Sequence, residues 1–203
     1  MLLDLGTHLI DLVLHLLGPV ATVAARTRTV ITERPGPDGR PARVEGEDAV
    51  WLQLELAGGG IGSVEASKVV PGAGDDLRVE AYGSQGGLIF DTRDPNGLQI
   101  FEGADAPLGG RRIATLSRSR PAASLPGDEK PSGAIQWYVA STAAFVQSVG
   151  AGQAPRPDLA AAARVQEVAE AARRSATQGG APVRIDEAVQ PGDHLAYPSG
   201  RQG

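Results

Sequence analysis

The sequence predicts an α+β domain built on an open, largely antiparallel sheet with helices packed on one face. Short stretches in which apolar and polar residues alternate follow one another from Val20 to Leu116, separated by Gly- and Pro-rich turns, which is the pattern of a β-meander. Helical spacing is confined to the opening residues and to two segments near the C-terminus, too few helices to cover both faces of such a sheet. With 27 glycines, 15 prolines and only 4% aromatic residues, the composition favours many turns and short strands over a helical bundle.

A chain of 203 residues can bury a proper core, and it reads as one domain over residues 1–189 followed by a disordered tail over 190–203. There is no cysteine, so disulfides, thiolate metal sites and a cysteine nucleophile are excluded; the expected location is cytoplasmic. The most apolar stretch, Leu9 to Leu17, is interrupted by Asp11 and His15 and is too short to span a bilayer, and it lacks the basic and small-residue flanks of a signal peptide. The net charge is −5 and basic residues are scattered, apart from Arg111, Arg112, Arg118 and Arg120. Without a basic stripe or stacking aromatics, nucleic acid is not an expected partner.

The elements follow in order. Leu2 to Leu17 has helical spacing and stops at Gly18-Pro19, where glycine can take a left-handed cap and proline cannot continue the helix. Its start has no Ser, Thr, Asp or Asn ahead of the apolar run, so either Asp4 caps a helix beginning at Leu5 or upstream chain is missing. Val20 to Val30 reads as a strand, and Glu33 to Asp48, with three prolines in Arg34 to Pro41, as a mobile loop. Val50, Leu52, Leu54 and Leu56 alternate with Trp51, Gln53 and Glu55, and a turn at Gly58-Gly59-Gly60 returns the chain along Ile61 to Val70. A second hairpin spans Asp75 to Asp91, Asp94 to Gly97 is a turn, and Leu98 to Phe101 and Arg112 to Leu116 add strands to what reads as a single meander. Ser117 to Ser132 is expected to be a loop. Ala134 to Val149 is a helix presenting Ile135, Tyr138, Val139, Ala143, Phe145 and Val146, closed by Gly150. Asp158 caps a helix from Leu159 to Ser175 whose Leu159, Ala162, Val165, Val168 and Ala172 fit a buried stripe, and Pro182 to Ile185 is a last strand.

At about 100° per residue, Asp4, His8, Asp11 and His15 fall on one line of the opening helix. Leucine-rich helices rarely bury two carboxylates and two imidazoles together, because unpaired burial costs several kcal/mol. A histidine flanked by carboxylates at i−4 and i+3 can be held in one tautomer, take a proton from a hydroxyl and return it. The spacing is equally that of a capping Asp4, a hydrogen-bonded His8 and a solvated Asp11, and Asp and His at i, i+4 with a further Asp could also hold a divalent ion. No second ligand-rich segment appears, so no metal is expected. His15 reads as an end residue complementing the helix dipole.

The segment Leu3-Asp4-Leu5-Gly6-Thr7-His8-Leu9-Ile10-Asp11 closely resembles the D-x-G-x-H-x-x-D helix that opens the C-terminal domain of the Gfo/Idh/MocA oxidoreductases. Tyr82-Gly83-Ser84-Gln85-Gly86-Gly87 is similar to the family's Y-G-T-x-G-x-L segment, and the alanine-rich helix ending at Gly179 supports the resemblance. The family consists of two-domain NAD(P)-dependent dehydrogenases acting on sugars, polyols and related hydroxy compounds. The resemblance implies that Asp4 and His8 are a catalytic pair, that Asp11 contacts substrate, and that the sheet face makes a homo-oligomer. The family's catalytic lysine stands in an E-K-P motif of its Rossmann domain. Glu129-Lys130-Pro131 has those letters on the wrong side of the histidine motif and reads as coincidence. No G-x-G-x-x-G follows a strand, so the chain resembles the C-terminal domain alone, from a truncated gene or with a separate Rossmann chain as partner, and no NAD or NADP is expected to bind it by itself. The other reading is a free-standing binding or oligomerisation module without catalysis.

Overall fold

The computed structural model describes residues 1–103, 110–114 and 134–185, with only the backbone of 134–137. A π-helical turn, Leu2–Gly6, runs into α1 (Thr7–Leu17), followed by β1 (Val20–Arg28), β2 (Glu33–Pro35), β3 (Pro41–Arg43), β4 (Ala49–Leu56), β5 (Ile61–Ser67), β6 (Arg78–Gly83), β7 (Gly86–Asp91), β8 (Gly97–Glu102), β9 (Arg111–Ala114), α2 (Ala134–Gly150), α3 (Leu159–Thr177) and β10 (Val183–Arg184). The chain divides into two compact units, one formed by Met1–Pro71 with the chain from Pro157 onward, the other by Gly72–Arg156.

The first unit holds an antiparallel sheet in the order β10-β1-β4-β5, with α3 packed on β1 and α1 packed on α3. The alternation read in β4 is borne out: Val50, Leu52 and Leu54 are buried while Trp51, Gln53 and Glu55 are exposed. In β1 the buried residues are Val20, Val23 and Ala25, an odd spacing that a regular strand cannot place on one face. A bulge between Val20 and Thr22 supplies the missing residue and resets the phase. On α3, Asp158 accepts a hydrogen bond from Ala161 N–H at 2.8 Å, the cap expected from the sequence. Val165, Val168 and Ala172 are buried as anticipated, joined by Ala169, Ala171 and Ser175. Leu159 and Ala162 are exposed, contrary to the expected stripe, because the core begins only at Val165, about two turns after the cap. Ser175 is fully buried, and its Oγ accepts the N–H of Ala25 at 2.8 Å.

Glu33 to Asp48 is not a plain loop. Glu33–Pro35 and Pro41–Arg43 pair as a two-stranded antiparallel ribbon, its turn closed by Gly36 N–H to the Arg40 carbonyl at 2.7 Å. The prolines are tolerated because such a ribbon leaves its outward backbone positions unpaired.

The second unit contains a separate antiparallel sheet, β6-β7-β8-β9, so the strands do not form the single meander read from the sequence. Gly83 pairs with Gly86 across the turn Ser84-Gln85. Gly86 has φ 141°, and a Cβ there would stand 2.0 Å from the Phe101 carbonyl oxygen of β8, so only glycine fits. Helix α2 spans the expected residues, yet Tyr138, Phe145, Val146 and Val149 are exposed: periodicity identified the helix but not a buried stripe. The Ser117 to Ser132 loop with Glu129-Lys130-Pro131, the end of the strand expected at Arg112 to Leu116, and the tail with His194 lie outside the described residues. Among the described residues no helix is long and apolar enough to cross a membrane.

Candidate active site

The opening helix is anchored by one face. Leu2, Gly6 and Ile10, four residues apart, are buried, and Leu9, Val13 and Leu14 pack partly against the same core. Gly6 permits this approach: a Cβ there would lie 3.3 Å from the Leu2 side chain and 3.8 Å from Val50 of β4. The polar line stands on the other side, with Asp4, His8 and His15 exposed and Asp11 half-buried. In the π turn each residue advances by less than in an α-helix, which brings Asp4 and His8 closer to one line than α geometry would.

Asp4 does not cap the helix. It lies within the π turn, and the cap comes from Glu47, whose Oε1 accepts Leu2 N–H at 2.8 Å and the Met1 amino group at 2.9 Å. Burial alone would push Glu47 up, but these hydrogen bonds outweigh it and hold the carboxyl below its ordinary range. The Asp4 carboxylate instead pairs through Oδ2 with the Lys68 ammonium, just past the end of β5. That hydrogen bond is the main cause holding Asp4 below the usual carboxylate range, helped by the Lys68 charge, the Met1 amino group and His8. Thr7 Oγ1 donates to the Asp4 carbonyl at 3.0 Å.

Lys68 is itself fixed by its backbone, because its N–H donates to the Asp48 carbonyl at 2.9 Å. Asp48 is buried; its Oδ2 accepts Ile31 N–H and Val30 N–H, each at 2.8 Å, with Arg34 3.7 Å from Oδ1. These N–H groups, Ile31 first, keep Asp48 below its ordinary range. The adjacent residues Glu47 and Asp48 thus secure the two partners of the Asp4–Lys68 pair from behind.

The arrangement supplies an ionised carboxylate, an imidazole and a second carboxylate on one accessible helix face, with a cation beside the first. Such a surface can accept hydrogen bonds from several hydroxyls and move a proton. Among the described residues no group of three or more His, Asp or Glu side chains is placed to hold a metal ion. Sequence reasoning missed Lys68, Glu47 and Asp48. One signal was available for the first: of 19 basic residues, Lys68 and Lys130 are the only lysines.

The family model for the C-terminal alpha/beta domain of the Gfo/Idh/MocA oxidoreductases matches residues 1–185. The chain belongs to this oxidoreductase family. Levoglucosan dehydrogenase of Pseudarthrobacter phenanthrenivorans is 30% identical over 115 residues, 50% of this chain and 30% of that protein. Among solved structures, an oxidoreductase domain protein from Kribbella flavida superposes with TM-score 0.79 at 26% identity, covering 91% of this chain and 51% of its own. A levoglucosan dehydrogenase solved with NADH and levoglucosan gives TM-score 0.75 at 25% identity, covering 89% of this chain and 49% of that one. The chain therefore spans about half the length of these solved relatives, and it is the C-terminal domain of a Gfo/Idh/MocA oxidoreductase.

Proposed function

We propose that this chain is the substrate-binding half of an NAD(P)-dependent dehydrogenase acting on a sugar, a polyol or a related hydroxy compound. The observation that carries the reading is the line Asp4, His8, Asp11 on the accessible face of the motif helix, in a chain whose fold is that of the family's C-terminal domain. In this reading His8 takes the proton of the reacting hydroxyl and returns it in the reverse direction. Asp4 accepts a hydrogen bond at the same centre, and Asp11 holds a neighbouring hydroxyl. The relative solved with levoglucosan supports a hydroxyl-rich substrate class.

The residues of this chain do not fit a dinucleotide site. The sequence has no G-x-G-x-x-G after a strand, and every described strand pairing is antiparallel, whereas the phosphate cradle of that motif needs a βαβ unit. No residue here is assigned to the nicotinamide. Self-association belongs to the same proposal, through the sheet face of the first unit that carries exposed Trp51, Gln53 and Glu55.

The test is a chemical-shift titration of the chain with levoglucosan, run beside an NADH fluorescence titration. Perturbation centred on Asp4, His8 and Asp11, abolished in His8→Ala, with no saturable NADH binding, is the expected result. Perturbation confined to other residues would refute the site, and micromolar NADH binding would refute the placement of the cofactor outside this chain.

A further inference from the structure

The carboxylate of Asp4 is half exposed, at 52%, and so is the Lys68 side chain, at 53%, yet the two meet across 64 residues of sequence. Two long-range anchors make that meeting reproducible. The helix start bearing Asp4 is tied down by Glu47 through Leu2 N–H, and the backbone of Lys68 is tied down by the carbonyl of Asp48, the next residue. An exposed pair of flexible side chains is ordinarily worth little because ordering them costs entropy. Here the backbone positions of both partners are already set, so less freedom remains to be lost.

The identity of the cation matters too. A lysine ammonium is a compact point charge that can serve a single oxygen, whereas an arginine fork tends to take both oxygens of a carboxylate. Lys68 engages Asp4 Oδ2, and Oδ1 has no partner among the described residues. In a chain whose other described cationic side chains are arginine and histidine, a lysine stands where one carboxylate oxygen must stay open.

We propose that Lys68 is a positioning residue of the hydroxyl-binding site: it fixes the Asp4 carboxylate in its ionised form and orients it so that Oδ1 remains open to accept a substrate hydroxyl. This rests on the substrate reading above for the ligand, but the Asp4–Lys68 relation stands on its own geometry. The groups facing Asp4 are the Lys68 ammonium, the Met1 amino group and the His8 imidazole, so Lys68 is the near cation that a single substitution removes.

The experiment is a carbon-detected titration of the Asp4 side-chain carboxyl in the full chain, in wild type, Lys68→Met and Lys68→Arg, each with and without levoglucosan. In wild type the Asp4 midpoint is expected below the usual carboxylate range. Lys68→Met should bring it back into that range, and Lys68→Arg should keep it low. Levoglucosan-induced shifts at the His8 and Asp11 amides should, in Lys68→Met alone, disappear as the pH falls through the usual carboxylate range. A wild-type midpoint within the usual range overturns the proposal without recourse to any variant, and so does an Asp4 midpoint that Lys68→Met leaves unmoved. If levoglucosan perturbs nothing in wild type while Asp4 titrates low and depends on Lys68, the substrate reading fails and the pairing survives. If binding occurs and its pH profile is the same in wild type and Lys68→Met, the positioning role fails and the substrate reading survives.

Discussion

Ser175→Ala removes one oxygen from a fully buried position on α3 and leaves the Ala25 N–H of β1 without its acceptor at 2.8 Å. No strand can replace it. β10 pairs with β1 only at Thr22↔Arg184 and Val23↔Val183, so the sheet ends before Ala25 on that side and the helix hydroxyl stands in for a missing strand. A buried donor left unpaired costs about 1–3 kcal/mol, and the accompanying loss of volume is too small to change that range. For a chain of this length each kcal/mol lowers the midpoint of thermal unfolding by about 2–4 °C, so the variant should melt roughly 2–12 °C below wild type. Urea unfolding followed by circular dichroism gives the free energy, and amide hydrogen exchange at Ala25 gives the local reading. Exchange at Ala25 should accelerate by more than at Leu52 or Leu54 of the neighbouring strand. A stability change under about 0.5 kcal/mol together with unchanged Ala25 exchange would refute the claim that Ser175 completes the sheet.

Three further outcomes are expected. Ile10→Ala, at a fully buried position beneath the polar helix face, should cost about 2–5 kcal/mol by urea unfolding; a loss below about 1 kcal/mol would mean the helix does not rest on that side chain. Glu47 is held below its ordinary range, so its stabilisation is present above the unfolded value of 4.5 and fades as the pH falls through the lower folded value. Glu47→Gln should therefore lower stability at neutral pH and flatten the acid limb of a stability profile measured from about pH 7 to about pH 3, and an unchanged acid limb would count against the cap. Trp51 is 42% exposed on the uncovered sheet face, and Trp51→Glu should convert a self-associated chain to monomer by light scattering; a wild type that is already monomeric would sink the interface.

Much of the fold was legible because the relevant signals are local. The alternation in Val50 to Leu56, the Asp158 cap and the Gly18 stop each act within a few residues, and each is where the sequence puts it. Which hairpins share a sheet is not local: β4–β5 and β6–β7 alternate alike, and nothing in the alternation says that they belong to different sheets. The bulge in β1 was not legible, because the odd spacing of Val20, Val23 and Ala25 is a spacing of buried residues and emerges only with the register. At the proposed site, the line of Asp4, His8 and Asp11 could be read from one helical turn and the next. Lys68 and Glu47 could not, because they reach the helix across 64 and 45 residues and no periodicity links them to it. The exposed apolar residues of α2 show the reverse limit, since helical spacing specifies a face without specifying what meets it.

The first unit is assembled from the two ends of the chain, with Gly72–Arg156 made in between. All the residues of the proposed site lie before Pro71, yet the floor beneath their helix includes Val165, Val168, Ala169 and Ala172 of α3, and β1 is flanked by β10. During synthesis the helix with His8 therefore emerges long before α3, the helix it packs on, while β6 to β9 each pair only with strands next to them in sequence. Closing so large a loop is slow compared with forming hairpins, so the docking of α3 under the proposed site is expected late in folding. A ribosome that stops short of α3 releases every chemical group of the proposed site without the helix on which α1 packs.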